Sequence, residues 1–169
     1  MRADATGRTL HGTAVPYGVV AEVSDGYGTY RERFAPAAFA RSIAERGHKV
    51  RIFIQHETRR LPIGKATELR EDSTGLHAAF MLARTRDADE ALELVRDEIV
   101  DGFSVGFRPI RDERDGDVTV RLEAALNEVS LVHSPAYAGA LVAGVRSASP
   151  LALSVEVASR RLSFILRDW

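Results

Sequence analysis

The sequence predicts a mostly β protein with surrounding helices, of the α+β type, and three observations carry that prediction. About seven short runs are β-branched, aromatic or alternating in polarity. Polar turns rich in Gly and Asp separate them at short intervals, and only two internal segments place apolar residues at helical spacing. Small antiparallel sheets protect their edges by closing. The expected architecture is therefore a closed or nearly closed antiparallel β-barrel of about seven strands, with helices outside it.

The first strand runs to Pro16 and breaks at Tyr17-Gly18. Ser24-Asp25-Gly26-Tyr27-Gly28 reads as a turn into an extended piece from Tyr30 to Phe34, which makes a hairpin. Pro36 suits the first position of a helix, where its missing N–H is no loss, and Gly47 suits the residue just past the end. Phe39 and Ile43 then share one face of a helix over 36–46. Val50 to Gln55 is β-branched and apolar, a strand that stops at His56-Glu57. Residues 63–70 and 76–83 flank Glu71-Asp72-Ser73-Thr74-Gly75, whose glycine supplies the positive φ of a second hairpin. Asp87 caps a second helix with Glu90 as its capping-box partner, and Ala91, Leu92, Val95 and Ile99 form the apolar face before Gly102. A strand Phe103–Ile110, a charged turn Arg111–Gly116, and strands near 117–123 and 126–133 complete residues 1–145, the expected barrel domain. Residues 146–169 then read as a linker and a terminal amphipathic helix. Small residues fill 143–149, and Leu151, Val155, Leu162, Ile165, Leu166 and Trp169 recur at helical spacing after Pro150.

Composition narrows the function. A chain of 169 residues with 45% hydrophobic residues can bury a core sufficient for one globular domain, which argues against disorder. Lys and Arg number 23 against 24 Asp and Glu, and the formal charge of -1 gives little attraction for phosphates, so a duplex nucleic-acid partner is disfavoured. The absence of cysteine excludes disulfides, thiolate metal centres and a cysteine nucleophile. No run approaches the ~20 apolar residues of a membrane span, and Met1-Arg2-Ala3-Asp4 opens no apolar signal core. No membrane partner and a cytoplasmic site of synthesis are expected.

Three positions stand out for chemistry. His56 lies where an apolar strand gives way to a loop, a place that holds a side chain firmly and leaves it accessible. Ser104 lies in Gly102-Phe103-Ser104-Val105-Gly106-Phe107, opposite in facing to its aromatic neighbours, and the flanking glycines would let a substrate backbone approach the hydroxyl. A serine in a strand is nonetheless usually a small filler. Glu128 lies in Leu126-Asn127-Glu128-Val129-Ser130-Leu131-Val132 and shares a face with Leu126 and Ser130. It reads either as a solvated acid or as a carboxylate oriented toward a histidine, and His133 competes for that role. A metal-dependent hydrolase using His56, Glu57 and His133 lacks a ligand spacing such as H-E-x-x-H, and no metal or cofactor is expected.

Five segments in order resemble the phage prohead proteases, the capsid-maturation enzymes related to the herpesvirus assemblins. They are Tyr30-Arg31-Glu32-Arg33-Phe34-Ala35-Pro36-Ala37-Ala38-Phe39; Ile54-Gln55-His56-Glu57 with Leu61-Pro62-Ile63-Gly64; Leu69 to Leu76; Gly102 to Phe107; and Glu128 to Ala136. The resemblance spans roughly residues 9–145. It implies an assemblin-like barrel and a serine endopeptidase that cleaves capsid and scaffold precursors inside an immature capsid, the prohead, in the host cytoplasm. His56 matches the family's catalytic histidine and Ser104 its nucleophile; Glu128 is the better match for the third member, with His133 the second choice. Backbone N–H groups in the loop after Pro135 are the expected oxyanion donors, with Arg146 a helper only if that loop folds back over the site. The apolar stripe of residues 150–169, terminal and carrying Trp169 after a linker, is expected to mediate self-association or to pack on the barrel and order the active site, and analogy with the herpesvirus enzymes suggests a homodimer or larger assembly. The competing reading is a catalytically silent module that binds scaffold or capsid proteins, because a fold can outlast its chemistry.

Overall fold

The computed structural model describes residues 7–25 and 28–146, and it is organised around one long strand. In chain order the elements are β1 (Thr9–Pro16), β2 (Ala21–Asp25), β3 (Gly28–Phe34), α1 (Ala40–Arg46), β4 (Arg51–Ile54), β5 (Gly64–Glu71), β6 (Gly75–Leu82), α2 (Arg86–Arg96), β7 (Gly102–Asp115), β8 (Val118–Val132) and β9 (Val142–Arg146). β7 and β8 form an antiparallel hairpin along the whole of both strands, turning at Gly116 with φ 62. The other edge of β8 receives two parallel strands in succession, β3 beside Val118–Arg121 and β4 beside Val129–Leu131. Between them the chain that links β3 to β4 supplies the missing partners. Ala35 N–H donates to Arg121 O, Ala124 N–H to Ala38 O, and Leu126 N–H to the Ser42 hydroxyl. Buried backbone groups on both edges of β8 thus find partners without a continuous third strand.

The sheet continues from β4 through β5, β6 and β1 to β9, and β2 lies outside β3. This is one mixed sheet, so the expectation of an antiparallel barrel of about seven strands is corrected: nine strands are present among the described residues, and β3 and β4 run parallel to β8. Nor does the ladder close. Its two ends approach at one isolated bridge, Gly102 with Leu141, beyond which β7 leaves the body of the sheet and becomes solvent-exposed from Arg108 to Asp115. A hairpin arm that extends into water cannot pair back onto β9.

Local readings shift for identifiable reasons. The first helix begins at Ala40 rather than Pro36 because Ala37 is left-handed at φ 63, which breaks helical continuity. Gly47 is right-handed and leads into a 3-10 turn, Gly47–Lys49, so it is no left-handed cap. Gly75 has no positive φ; its Cβ would lie 2.4 Å from Val15 O, so glycine is required by the close approach of β1. Thr85, not Asp87, precedes α2, which ends at Arg96 and leaves Ile99 61% exposed. The charged turn over 111–116 is mostly strand, the two strands near 117–133 are one, and Ala143–Arg146 belongs to β9 rather than to a linker. Ala21–Asp25 forms its own strand and is the first arm of the β2–β3 hairpin. The expected helix over 150–169 lies outside the described residues. Among the described residues no helix is long and apolar enough to cross a membrane.

The core gathers apolar side chains from the sheet and from α1 and α2 around a group of aromatic rings. Phe34 packs edge-on against Phe107 with centroids 4.9 Å apart and against Phe39 at the same separation; Phe80 meets Phe103 at 6.0 Å. Beside this cluster lies a buried ionic group. Glu32, 2% exposed, accepts from Arg121 Nε at 2.7 Å and from the Tyr137 hydroxyl at 2.7 Å, while Arg121 Nη1 donates to Asp112 at 2.6 Å. Burial, together with the adjacent Glu32 carboxylate, pushes the Tyr137 phenol well above its ordinary pKa. Truncating Arg121 would strand Glu32 without its counter-charge. Arg121→Ala should lower unfolding free energy by about 3–5 kcal/mol in a denaturant titration; a change within error would show that the buried pair contributes nothing.

Candidate active site

The carboxylate of Glu128 is where three separate chain segments converge. On the β7–β8 ladder Ser104 stands directly opposite Ser130, and Gly106 directly opposite Glu128. Cross-strand partners share a face, so these four positions form one block on the surface of the hairpin. The third segment comes from β4, which pairs with β8 through Ile54 opposite Leu131 and whose register Gln55 extends by donating its N–H to Leu131 O. Gln55 and His56 then both adopt left-handed backbone, φ 51 and 59. This conformation costs a non-glycine residue on the order of 1–3 kcal/mol, so it persists only where surrounding bonds hold it. The His56 N–H donates to the Ser130 hydroxyl at 3.1 Å, and Thr58 N–H donates to His56 O at 2.8 Å. The abrupt turn carries the imidazole across the face of the hairpin.

There it links two side chains. His56 Nδ1 is 2.7 Å from Glu128 Oε1, and His56 Nε2 is 2.8 Å from the Ser104 hydroxyl oxygen. An ionised carboxylate accepts only, so Nδ1 carries the proton and Nε2 is left to accept from Ser104. Glu128 Oε2 accepts from the Ser130 hydroxyl at 2.7 Å, which occupies the second oxygen. The Glu128 side chain is 6% exposed and that of His56 42%. The buried acid thus sits behind a half-open base. The hydrogen bond to Glu128 raises the imidazole pKa above its ordinary value, with burial opposing and the carboxylate charge reinforcing.

The glycines flanking Ser104 serve the protein's own packing. A Cβ on Gly106 would stand 2.2 Å from Glu128 Oε1, and one on Gly102 would stand 2.8 Å from both Pro135 Cδ and Val132 O. The Cβ direction is thus filled by the acid at one glycine and by the Pro135 loop at the other, while Gly106 also lines the cleft beside Ser104. That loop continues through Ala136 and Tyr137, which with Ser104, Val105, Phe107 and Tyr30 line a cleft of about 660 Å³. Glu32 and Arg121 also border it. The Ser104 hydroxyl therefore meets both the imidazole and an open groove.

The structure brings Ser104, His56 and Glu128 together and leaves His133 aside. His133 Nδ1 lies 2.7 Å from Gln55 Nε2, on the exposed side of the turn. Ser130 was not singled out by sequence reasoning, although its signal was present: a hydroxyl two residues from a buried acid on one strand shares that acid's face. The suggestion that Arg146 assists rests on a side chain outside the described part of the structure. Among the described residues no three or more His, Asp and Glu side chains cluster where they could hold a metal ion, and His56, Glu57 and His133 do not converge.

Residues 1–152 match the family model of the caudovirus prohead serine proteases. The prohead protease of Enterobacteria phage HK97 is 33% identical over 116 residues, 66% of this chain and 52% of that relative. The chain therefore spans about half the length of the curated relative it matches. With a matching model that covers all of the described strands and the site between them, this chain belongs to the caudovirus prohead serine protease family.

Proposed function

We propose that the chain is a serine endopeptidase that cuts capsid and scaffold precursors during maturation of a phage prohead, acting inside that shell in the host cytoplasm. The observation that carries this reading is the hydrogen-bonded series from Glu128 through His56 to Ser104, open to a cleft, in a member of the prohead protease family. Ser104 Oγ attacks the scissile carbonyl carbon while its proton passes to His56 Nε2, and the carbonyl π pair moves onto oxygen. The tetrahedral species collapses, the C–N bond breaks, and Nε2 returns the proton to the leaving amine. Water repeats the sequence on the acyl-enzyme and frees Ser104. Glu128 holds the tautomer and stabilises the imidazolium formed on the way. We also read the mixed sheet as an incomplete barrel of the assemblin kind, a reading supported by the bridge between Gly102 and Leu141.

Expression of wild type and Ser104→Ala beside a capsid or scaffold precursor tests the nucleophile. Wild type should convert the precursor to shorter bands and Ser104→Ala should leave it intact, a loss of several orders of magnitude because members of such a unit fail together. Identical patterns with both would end the assignment, and an uncut precursor that still co-purifies with wild type would favour the silent binding module.

The raised imidazole pKa sets the pH dependence. Attack needs neutral His56, which becomes populated only as pH climbs through that raised value, so kcat/KM should rise with a midpoint above 6.5. The sign is opposite for stability: the folded state favours the imidazolium, so this contribution is full below 6.5 and is lost as pH rises through the folded pKa. Glu128→Gln should bring the midpoint back toward 6.5 and lower kcat on the order of 10⁴-fold, the scale of the equivalent change in a well-studied triad. His133→Ala should leave both near wild type. The reverse ranking in a pH–rate series would transfer the orienting role to His133.

Self-association through residues 150–169 is part of the same proposal. Removing them should lower the number of chains in the sedimenting particle or the peptidase rate; a truncated chain with unchanged stoichiometry and rate would exclude that role.

A further inference from the structure

We propose that Ser130 is a positioning residue for the hydrolysis assigned above, acting through Glu128 and His56 without touching substrate. Its side chain is fully buried. The hydroxyl has one proton to give and gives it to Glu128 Oε2 at 2.7 Å, while its oxygen accepts the His56 N–H at 3.1 Å. Together with the bond between His56 Nδ1 and Glu128 Oε1 at 2.7 Å, these contacts close a ring. The ring runs from the His56 backbone to Ser130, on to the Glu128 carboxylate, and back to the His56 imidazole.

The ring fixes two variables at once. It anchors the left-handed backbone at φ 59 that lifts His56 over the hairpin, and it locks the carboxylate plane so that Oε1 alone faces Nδ1. A carboxylate held at one oxygen only can rotate about its last bond, and the imidazole it orients would rotate with it. Gly106 closes the arrangement from the opposite side, since any side chain there would displace Oε1. Ser130 stands directly across the ladder from Ser104, so the β7–β8 register that places the nucleophile also places the residue that aims its base.

This inference rests on the Ser104 reading, and the experiment separates the two. A fluorophosphonate forms an O–P bond with an activated serine, with fluoride leaving and the hydroxyl proton passing to the histidine, so its labelling rate reports activation without a known substrate. Labelling of the full chain is compared for wild type, Ser104→Ala, Ser130→Ala, Ser130→Cys and Ser130→Thr under conditions where circular dichroism shows each folded. Ser130→Cys keeps the packing and weakens both hydrogen bonds, and Ser130→Thr keeps the hydroxyl. The Ala and Cys variants should label about tenfold to a hundredfold more slowly, the range of one hydrogen bond to a charged group. The loss should lie in the maximal rate, with the half-saturating probe concentration unchanged, and Thr should recover most of it. Wild-type labelling by a folded Ala or Cys variant, or a Thr variant as slow as Ala, would overturn the role of Ser130. If wild type and Ser104→Ala label alike, the failure belongs to the nucleophile assignment instead.

Discussion

Strand β8 is paired on both sides, by β7 along its whole length and by β3, the linking chain and β4 in succession on the other edge. An internal strand of this kind has no freedom to slip, because a one-residue shift would turn its buried set toward solvent. Val129 and Leu131 are at most 1% exposed and anchor one face; Glu128 and Ser130 occupy the other. The alternation that builds the core therefore also sets the direction in which the acid points. Any displacement of β8 would be felt in the core and the candidate site together.

The site illustrates how a polar group can be buried at acceptable cost. Glu128 keeps a partner on each oxygen, so its desolvation is offset by one donor from imidazole and one from a hydroxyl. The same solution recurs at Glu32, where Arg121 and Tyr137 divide the carboxylate between them. One of these acids supports the proposed chemistry and the other borders the cleft beside it. Both depend on strands that the sequence keeps far apart: Glu32 lies 89 positions from Arg121, and His56 lies 72 from Glu128.

Much was legible from local pattern. β1, β4, β5, β6 and the first half of β7 fall where the sequence places strands, the body of α2 follows its apolar periodicity, and the face shared by Glu128 and Ser130 is visible in the spacing of one strand. The errors cluster where tertiary contacts override a local signal. Gly75 reads as a turn glycine, yet it is required because β1 occupies the place of its Cβ. The charged run after Arg111 resembled a turn because a strand in water on both faces carries no alternation.

The residue types and their repeats are set by the chain alone: no thiol, a serine between two glycines, a histidine at a strand end and an acid inside a largely apolar run. Those facts follow from composition and from the two-residue period of a strand. Only the tertiary structure decided the parallel placement of β4 beside β8, the left-handed turn at Gln55 and His56, and the choice of Glu128 over His133 as the imidazole's neighbour. These depend on contacts between segments distant along the chain. No local propensity encodes them, because a left-handed histidine is unfavourable until Ser130 and the neighbouring backbone hold it in place.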